Sequence, residues 1–283
     1  MRRGLAVAAV LTATTAAGCA GGGSGPVVEG TPPATPYSGP LHVASRHLDQ
    51  DSVRAVRLSA GAAGRALECD GRIYSGDAGG EWGKGDGGTT PEEGLTAYFD
   101  LDGPEVPRHG YRVERREAGR VLFSYDVHGR TKVAVVVAED RAGAPGWGPE
   151  SSASCDPAEL PASFTDGLGL EIWTDADGHR VPTTTLSGYA GAEHCDWQDV
   201  RFLAMGRGAK AAQYVRDPEG VLDGAGLTAA YDGKARLPKD AHDTGYRLGE
   251  RELWLTADRS TAYVRTSDGV EAWPRAKRFV ACM

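Results

Sequence analysis

RVLFSYDVHGRTKVAVVVAE, residues 120–139, holds two runs of β-branched and aromatic residues separated by His128-Gly129-Arg130. Such side chains pack well on a pleated surface, and the glycine between the runs lets the chain turn back. The stretch predicts a β-hairpin. A related pattern recurs near the end of the chain. There ELWLTA (252–257), a turn at Asp258-Arg259-Ser260, AYVRT (262–266), a turn at Ser267-Asp268-Gly269 and VEAWP (270–274) read as a meander.

Other landmarks repeat in the same order. LHVAS (41–45) has the alternation of LEIWT (170–174), and ECDG (68–71) recurs as HCDW (194–197). GLTAYFD (94–100) recurs as GLTAAYD (226–232), and GYRVERREAGRVLF (110–123) as GYRLGERELW (245–254) with a deletion. The series predicts two tandem related copies, over residues 41–165 and 166–283. Four cysteines fit that division: Cys69 and Cys155 are 86 residues apart, and Cys195 and Cys282 are 87 apart. The spacing predicts one disulfide per copy, each closing a loop that stabilises by about 4 to 5 kcal/mol in the chain-entropy model.

Helix signals are short. TTPEEGLTAYF (89–99) offers Thr90 as N-cap, Pro91 at the first helical position and Glu93 three residues after the cap. RDPEGVLDG (216–224) offers Asp217-Pro218 in the same way. GLEIWTDADGHRVPTTTL (169–186) reads as a strand pair around Asp175 to Gly178, joining the copies. Each copy is expected to run strand, cysteine-bearing strand, helix, hairpin. The fold class is therefore α+β, mainly antiparallel.

The N-terminus reads as a targeting segment. Arg2 and Arg3 precede the apolar stretch LAVAAVL (5–11), which with its Thr/Ala continuation is too short to span about 30 Å of hydrocarbon as a helix. Ala16, Ala17 and Gly18 then lead into Cys19. This pattern resembles the lipobox of bacterial lipoproteins, with Ala16 where that box usually has Leu. The resemblance implies a signal peptide over residues 1–18 and a diacylglyceryl group on the Cys19 thiol. The membrane would then be a partner, and the chain would sit on the outer face of the cytoplasmic membrane. Residues 19–40, rich in Gly, Ser and Pro, read as a tether.

Composition narrows the chemistry. The chain has six Lys, 25 Arg, two Ile and no Asn, a bias that makes Arg a codon habit before it is a recognition signal. Without residues 1–18 the net charge is near −10, and no basic run exists to displace the counterions of a nucleic acid. GKGDGG (83–88) matches a phosphate-loop spacing, but a glycine-rich stretch precedes it and the second copy lacks it, so it reads as loop and no cofactor is expected. DADG (175–178) lacks the later acids of a calcium loop, and none of the seven histidines has zinc-site spacing, so no metal is expected either. No G-x-S-x-G or S-x-x-K appears. Glu92, Glu93, Asp156 and Glu159 sit where acids favour helix starts. Trp173, Trp197, Trp254 and Trp273 read as core, whereas Trp82 and Trp147, in glycine-rich loops, are candidate ligand contacts.

GWGPESSASCD, VPTTT, HCDWQDVRFL, YVRDP, DTGYR and AYVRTSDGVEAWPR together resemble a group of uncharacterised secreted lipoproteins of actinobacteria. That resemblance implies localisation and architecture and carries no activity. The sequence points to a membrane-anchored, non-catalytic binding or interaction module for an envelope or secreted partner. The alternatives are a secreted hydrolase whose site is assembled from scattered acids and histidines, and a purely structural envelope protein.

Overall fold

The computed structural model describes residues 25–44, 52–76, 87–101, 105–139, 145–208 and 211–282. Its first half contains helices α1 (Val53–Ser59) and α2 (Gly61–Ala66), strand β1 (Ile73–Gly76) and helix α3 (Pro91–Leu101). Strands β2 (Arg112–Glu117), β3 (Arg120–Val127), β4 (Arg130–Glu139) and β5 (Trp147–Cys155) follow, then helix α4 (Ala162–Gly167). They form one antiparallel sheet in the order β1-β5-β4-β3-β2. The predicted hairpin is its centre, with Tyr125 opposite Val133 and Val127 opposite Arg130.

Residues 131–138 of β4 are all buried, which follows from a strand covered on both faces. Leu122, Ala134 and Val136 point to α2, where Ala62, Ala63 and Ala66 bring the helix close. Val121, Phe123, Val133, Val135 and Val137 point the other way, to Leu95, Tyr98 and Phe99 of α3. The period-2 alternation of a strand thus feeds two cores at once. Gly94 lets α3 approach β5, since a Cβ there would meet the Gly148 nitrogen at 3.0 Å.

The second half holds β6 (Leu170–Glu171), β7 (Leu186–Ala190), β8 (Arg201–Met205) and β9 (Ala212–Arg216) in one meander. A second meander comprises β10 (His242–Leu248), β11 (Arg251–Leu255), β12 (Thr261–Thr266) and β13 (Gly269–Pro274). Both edges are stitched, by a bridge between Tyr214 and Arg275 and another between Thr174 and Arg247. The two sheets share one core around Trp173, Trp273, Tyr214, Leu203 and Leu253.

The fold is therefore α+β with three antiparallel sheets, and the two regions are each closed by a disulfide, Cys69–Cys155 and Cys195–Cys282. The order β2-β3-β4-β5 matches β10-β11-β12-β13. Gly110 and Gly245, each before a Tyr-Arg pair, both adopt positive φ, +89° and +80°. His128 and Arg259, in the corresponding hairpin turns, do so as well.

Elsewhere the halves diverge from the expected plan. GLTAYFD lies in α3, but GLTAAYD is not helical: Leu227 bridges Ala276 and Thr228 donates to the Arg275 carbonyl, so the segment is drawn out along the extension of β13. RDPEGVLDG forms no helix, because the Asp217 carboxylate accepts from the amides of Val221 and Leu222 and Gly220 turns to positive φ. The start of LHVAS is not a strand; Leu41 plugs the α2-side core, and its amide donates to Glu117 at 3.0 Å. Cys69 precedes β1 and Cys195 ends a 3-10 turn, Glu193–Cys195, so neither lies on a strand.

Residues 25–40 of the expected tether, together with Leu41, run along the first sheet. Val28 donates to the Tyr111 carbonyl at 2.7 Å and Tyr111 to the Pro26 carbonyl at 3.0 Å. The Tyr37 amide donates to the buried Glu114 carboxylate at 2.5 Å. Prolines hold this strap extended without consuming amide donors, and acids on β2 receive the donors that remain.

Candidate functional site

The segment that follows β5 joins the two halves. Asp156, fully buried, accepts from the Ala158 amide at 2.9 Å and so caps a 3-10 turn, Pro157–Glu159. It also accepts from the Thr183 amide at 3.0 Å and the Thr183 hydroxyl at 2.9 Å, reaching across to the second half. Cavities flank this turn on two sides. One, about 430 Å³, is mostly apolar and is lined by Tyr74, Tyr98, Val106, Leu160 and Leu170, with Glu105 as its acid. The other, about 710 Å³, is also lined mostly by apolar surface, but it brings together the charged and titratable side chains of Asp70, Arg130, Lys132, Glu159, His179 and Arg180.

Most charges in this larger cavity are committed to protein partners. Lys132 donates to Glu159 at 2.6 Å and to the Glu68 carbonyl at 2.8 Å. Glu159 also accepts from the amides of Asp70 and Gly71, both at 2.9 Å. Arg130 grips both oxygens of Asp70, at 2.8 and 2.6 Å, and this pairing holds the Asp70 carboxyl below its ordinary range. These contacts fasten the Cys69 loop to β4.

Arg180 is different. Its Nη2 donates to the Thr165 hydroxyl at 2.7 Å and its Nη1 to the Leu160 carbonyl, and among the described residues it forms no ion pair. Burial pushes its pKa down, while Asp166 and Asp156 oppose that shift from a distance. On the rim, Asp175 Oδ1 accepts from the amides of Asp177 (3.0 Å) and His179 (2.9 Å), and Oδ2 lies 3.4 Å from His179 Nδ1. The His179 amide, more than its ring, keeps the Asp175 carboxyl low. Asp175, Asp177 and His179 carry ligand atoms within 4.8 Å of one another, as do His194, Cys195 and Cys282.

Cys19 and Trp82 lie outside the described residues. Trp147 opens β5 and packs, partly buried, against the α3-side core. Trp173 and Trp273 are core residues, 0% and 1% exposed, while Trp197 and Trp254 are half-buried. Asp156 and Glu159 are drawn together with Lys132 and Arg180, two residues that no sequence pattern singled out. Lys132 did leave a trace: it is one of six lysines and the charged residue in an otherwise apolar run, KVAVVVA (132–138).

No family model, curated protein or solved structure matches this chain. Among the described residues no helix is long and apolar enough to cross a membrane.

Proposed function

We propose that this chain is an extracytoplasmic binding protein, lipid-tethered through Cys19, that takes a small organic anion into the larger cavity between its halves. Arg180 carries the reading. A partly desolvated guanidinium held by two neutral acceptors makes no direct ion pair among the described residues, and a ligand carboxylate or phosphate would form one as a charge-assisted pair. The signal segment over 1–18, the tether from 19 and tandem copies over 41–165 and 166–283 belong to the same proposal. The Arg2-Arg3 start and the small triplet before Cys19 support the first two. The shared meander, the paired positive-φ glycines and the two bridges support the third.

Thermal shift with dicarboxylates, aromatic carboxylates and sugar phosphates tests the ligand class. A rise in melting temperature with one of these anions, weakened more than tenfold in affinity by Arg180→Gln, is expected; no rise with any anion overturns the reading. Membrane fractionation of Cys19→Ala tests the tether, which requires the variant to leave the membrane fraction.

The hydrolase reading has its own observation, the carboxylate-oriented imidazole of His179 on the cavity rim. Such a pair is the base half of a site that activates water. Turnover of chromogenic carboxylate or phosphate esters that His179→Ala abolishes would favour it over simple binding.

A further inference from the structure

We propose that His194, Cys195 and Cys282 form a redox-gated site for a soft divalent metal, available to Zn²⁺ only when the bridge between the two cysteines is reduced. The two bridges of this protein are not equivalent. Cys155 is 1% exposed within the α2-side core, and Glu159, the carboxylate beside that bridge, is held by Lys132 and two amides. Cys195 and Cys282 are both partly exposed, and the exposed His194 places Nε2 3.0 Å from Cys282 Sγ. Exposed bridges are the ones that exchange with external thiols.

Both sides of the site are held without the bridge. The 3-10 turn that presents His194 and Cys195 ends at Asp196 in the left-handed region and is clasped by Trp197 N–H to the Ala192 carbonyl at 3.2 Å. On the other side, Gln213 is 2% exposed and grips Val280 with both ends of its amide. Its Oε1 accepts from Val280 N–H at 2.7 Å, and its Nε2 donates to the Val280 carbonyl at 3.1 Å. Lys277 N–H donates to the Gly226 carbonyl at 2.8 Å, and Val280 packs against the β8–β9 core. Cys282 is two residues beyond this clamp, so opening the bridge leaves both sulfurs beside the imidazole.

The reduction takes two electrons and two protons from an external dithiol, which becomes a cyclic disulfide as Cys195 and Cys282 become thiols. Metal binding then releases the two thiol protons, leaving two thiolates and a neutral imidazole, a Cys₂His set that suits zinc. At Zn–S distances of about 2.3 Å, tetrahedral sulfurs stand roughly 3.8 Å apart. Parting them from a bond of about 2.05 Å needs only χ1 rotation at each cysteine. The Cα atoms are already 6.3 Å apart. Three protein ligands leave a fourth position for water.

The test uses the full chain, oxidised and after native treatment with a phosphine. The phosphine takes up one water oxygen per bridge opened and adds no competing thiol. Differential alkylation followed by mass analysis should label Cys195 and Cys282 and spare Cys69 and Cys155. Cobalt titration of the reduced chain should give a thiolate charge-transfer band at one equivalent, displaced by zinc, with at least 100-fold weaker binding to the oxidised chain. His194→Ala should weaken zinc binding by tenfold or more while leaving the oxidised chain's melting temperature unchanged. Each of four results overturns the proposal: no charge-transfer band, a band unaffected by His194→Ala, simultaneous reduction of both bridges, or loss of the sheet's circular dichroism on reduction.

Discussion

Lys132 Nζ and Glu159 Oε2 meet at 2.6 Å with their side chains 5% and 13% exposed, and through Glu159 the pair also holds the amides of Asp70 and Gly71. A buried pair of this kind adds little over an apolar replacement, but removing one partner strands the other's charge. Lys132→Met should cost about 3 to 5 kcal/mol in urea unfolding. Adding Glu159→Gln should recover part of that loss, because no uncompensated carboxylate remains.

Gly110 and Gly245 share a positive φ but not the same surroundings. A Cβ at Gly245 would find its nearest neighbour, the Ala176 Cβ, at 3.7 Å, whereas one at Gly110 would meet the Tyr125 ring at 3.2 Å. Gly245→Ala should therefore cost the left-handed backbone alone, about 1 to 2 kcal/mol. Gly110→Ala should cost more, since the Tyr125 ring must also give way. Equal losses in thermal melts of the two variants would contradict this.

Leu41, 1% exposed, anchors the N-terminal strap in the α2-side core. Leu41→Ala should destabilise by about 2 to 5 kcal/mol through lost burial and a residual cavity. Limited proteolysis should then cut within residues 31–40 faster than in the unaltered protein, because the strap loses its deepest side chain.

Acid should loosen the seam at Thr174 and Arg247. Arg247 grips Asp243 through both oxygens, at 2.8 and 2.5 Å, and this holds the Asp243 carboxyl below its ordinary value of 3.8. A carboxylate whose folded pKa is depressed contributes stability fully above its unfolded pKa, and that contribution disappears as pH falls through the folded one. Arg247 also makes the backbone bridge to Thr174 that closes the seam. Asp243→Asn should lower the melting temperature at pH 7 and have little effect near pH 2.

The elements readable from sequence were those whose signal is local. The β3–β4 hairpin followed from branched residues around His128-Gly129, and α3 from its cap: the Thr90 hydroxyl accepts the Glu93 amide at 3.2 Å. Even there the Glu93 carboxylate is held mainly by the Thr89 amide and hydroxyl. Both bridges follow the near-equal spacings. What escaped depends on partners far along the chain. GLTAAYD has the residues of its helical counterpart, yet pairing with the Arg275–Ala276 segment keeps it extended. The small alanine-rich α2 carries little amphipathic pattern, because close approach to the sheet calls for small residues instead of a large apolar stripe. The larger cavity gathers charged side chains from positions 70 to 180, and no linear motif encodes that convergence.

The docked strap sets how the first half would yield to a pull on its N-terminal side. The two Val28–Tyr111 and Tyr111–Pro26 hydrogen bonds meet the load before the rest of the strap, and Cys69–Cys155 is a covalent stop behind them. Residues 25–68, the strap followed by α1 and α2, can unspool before that stop, about 150 Å of slack at full extension. The strap is thus the first stage of a mechanical fuse, and the bridge diverts the load from the strands it encloses.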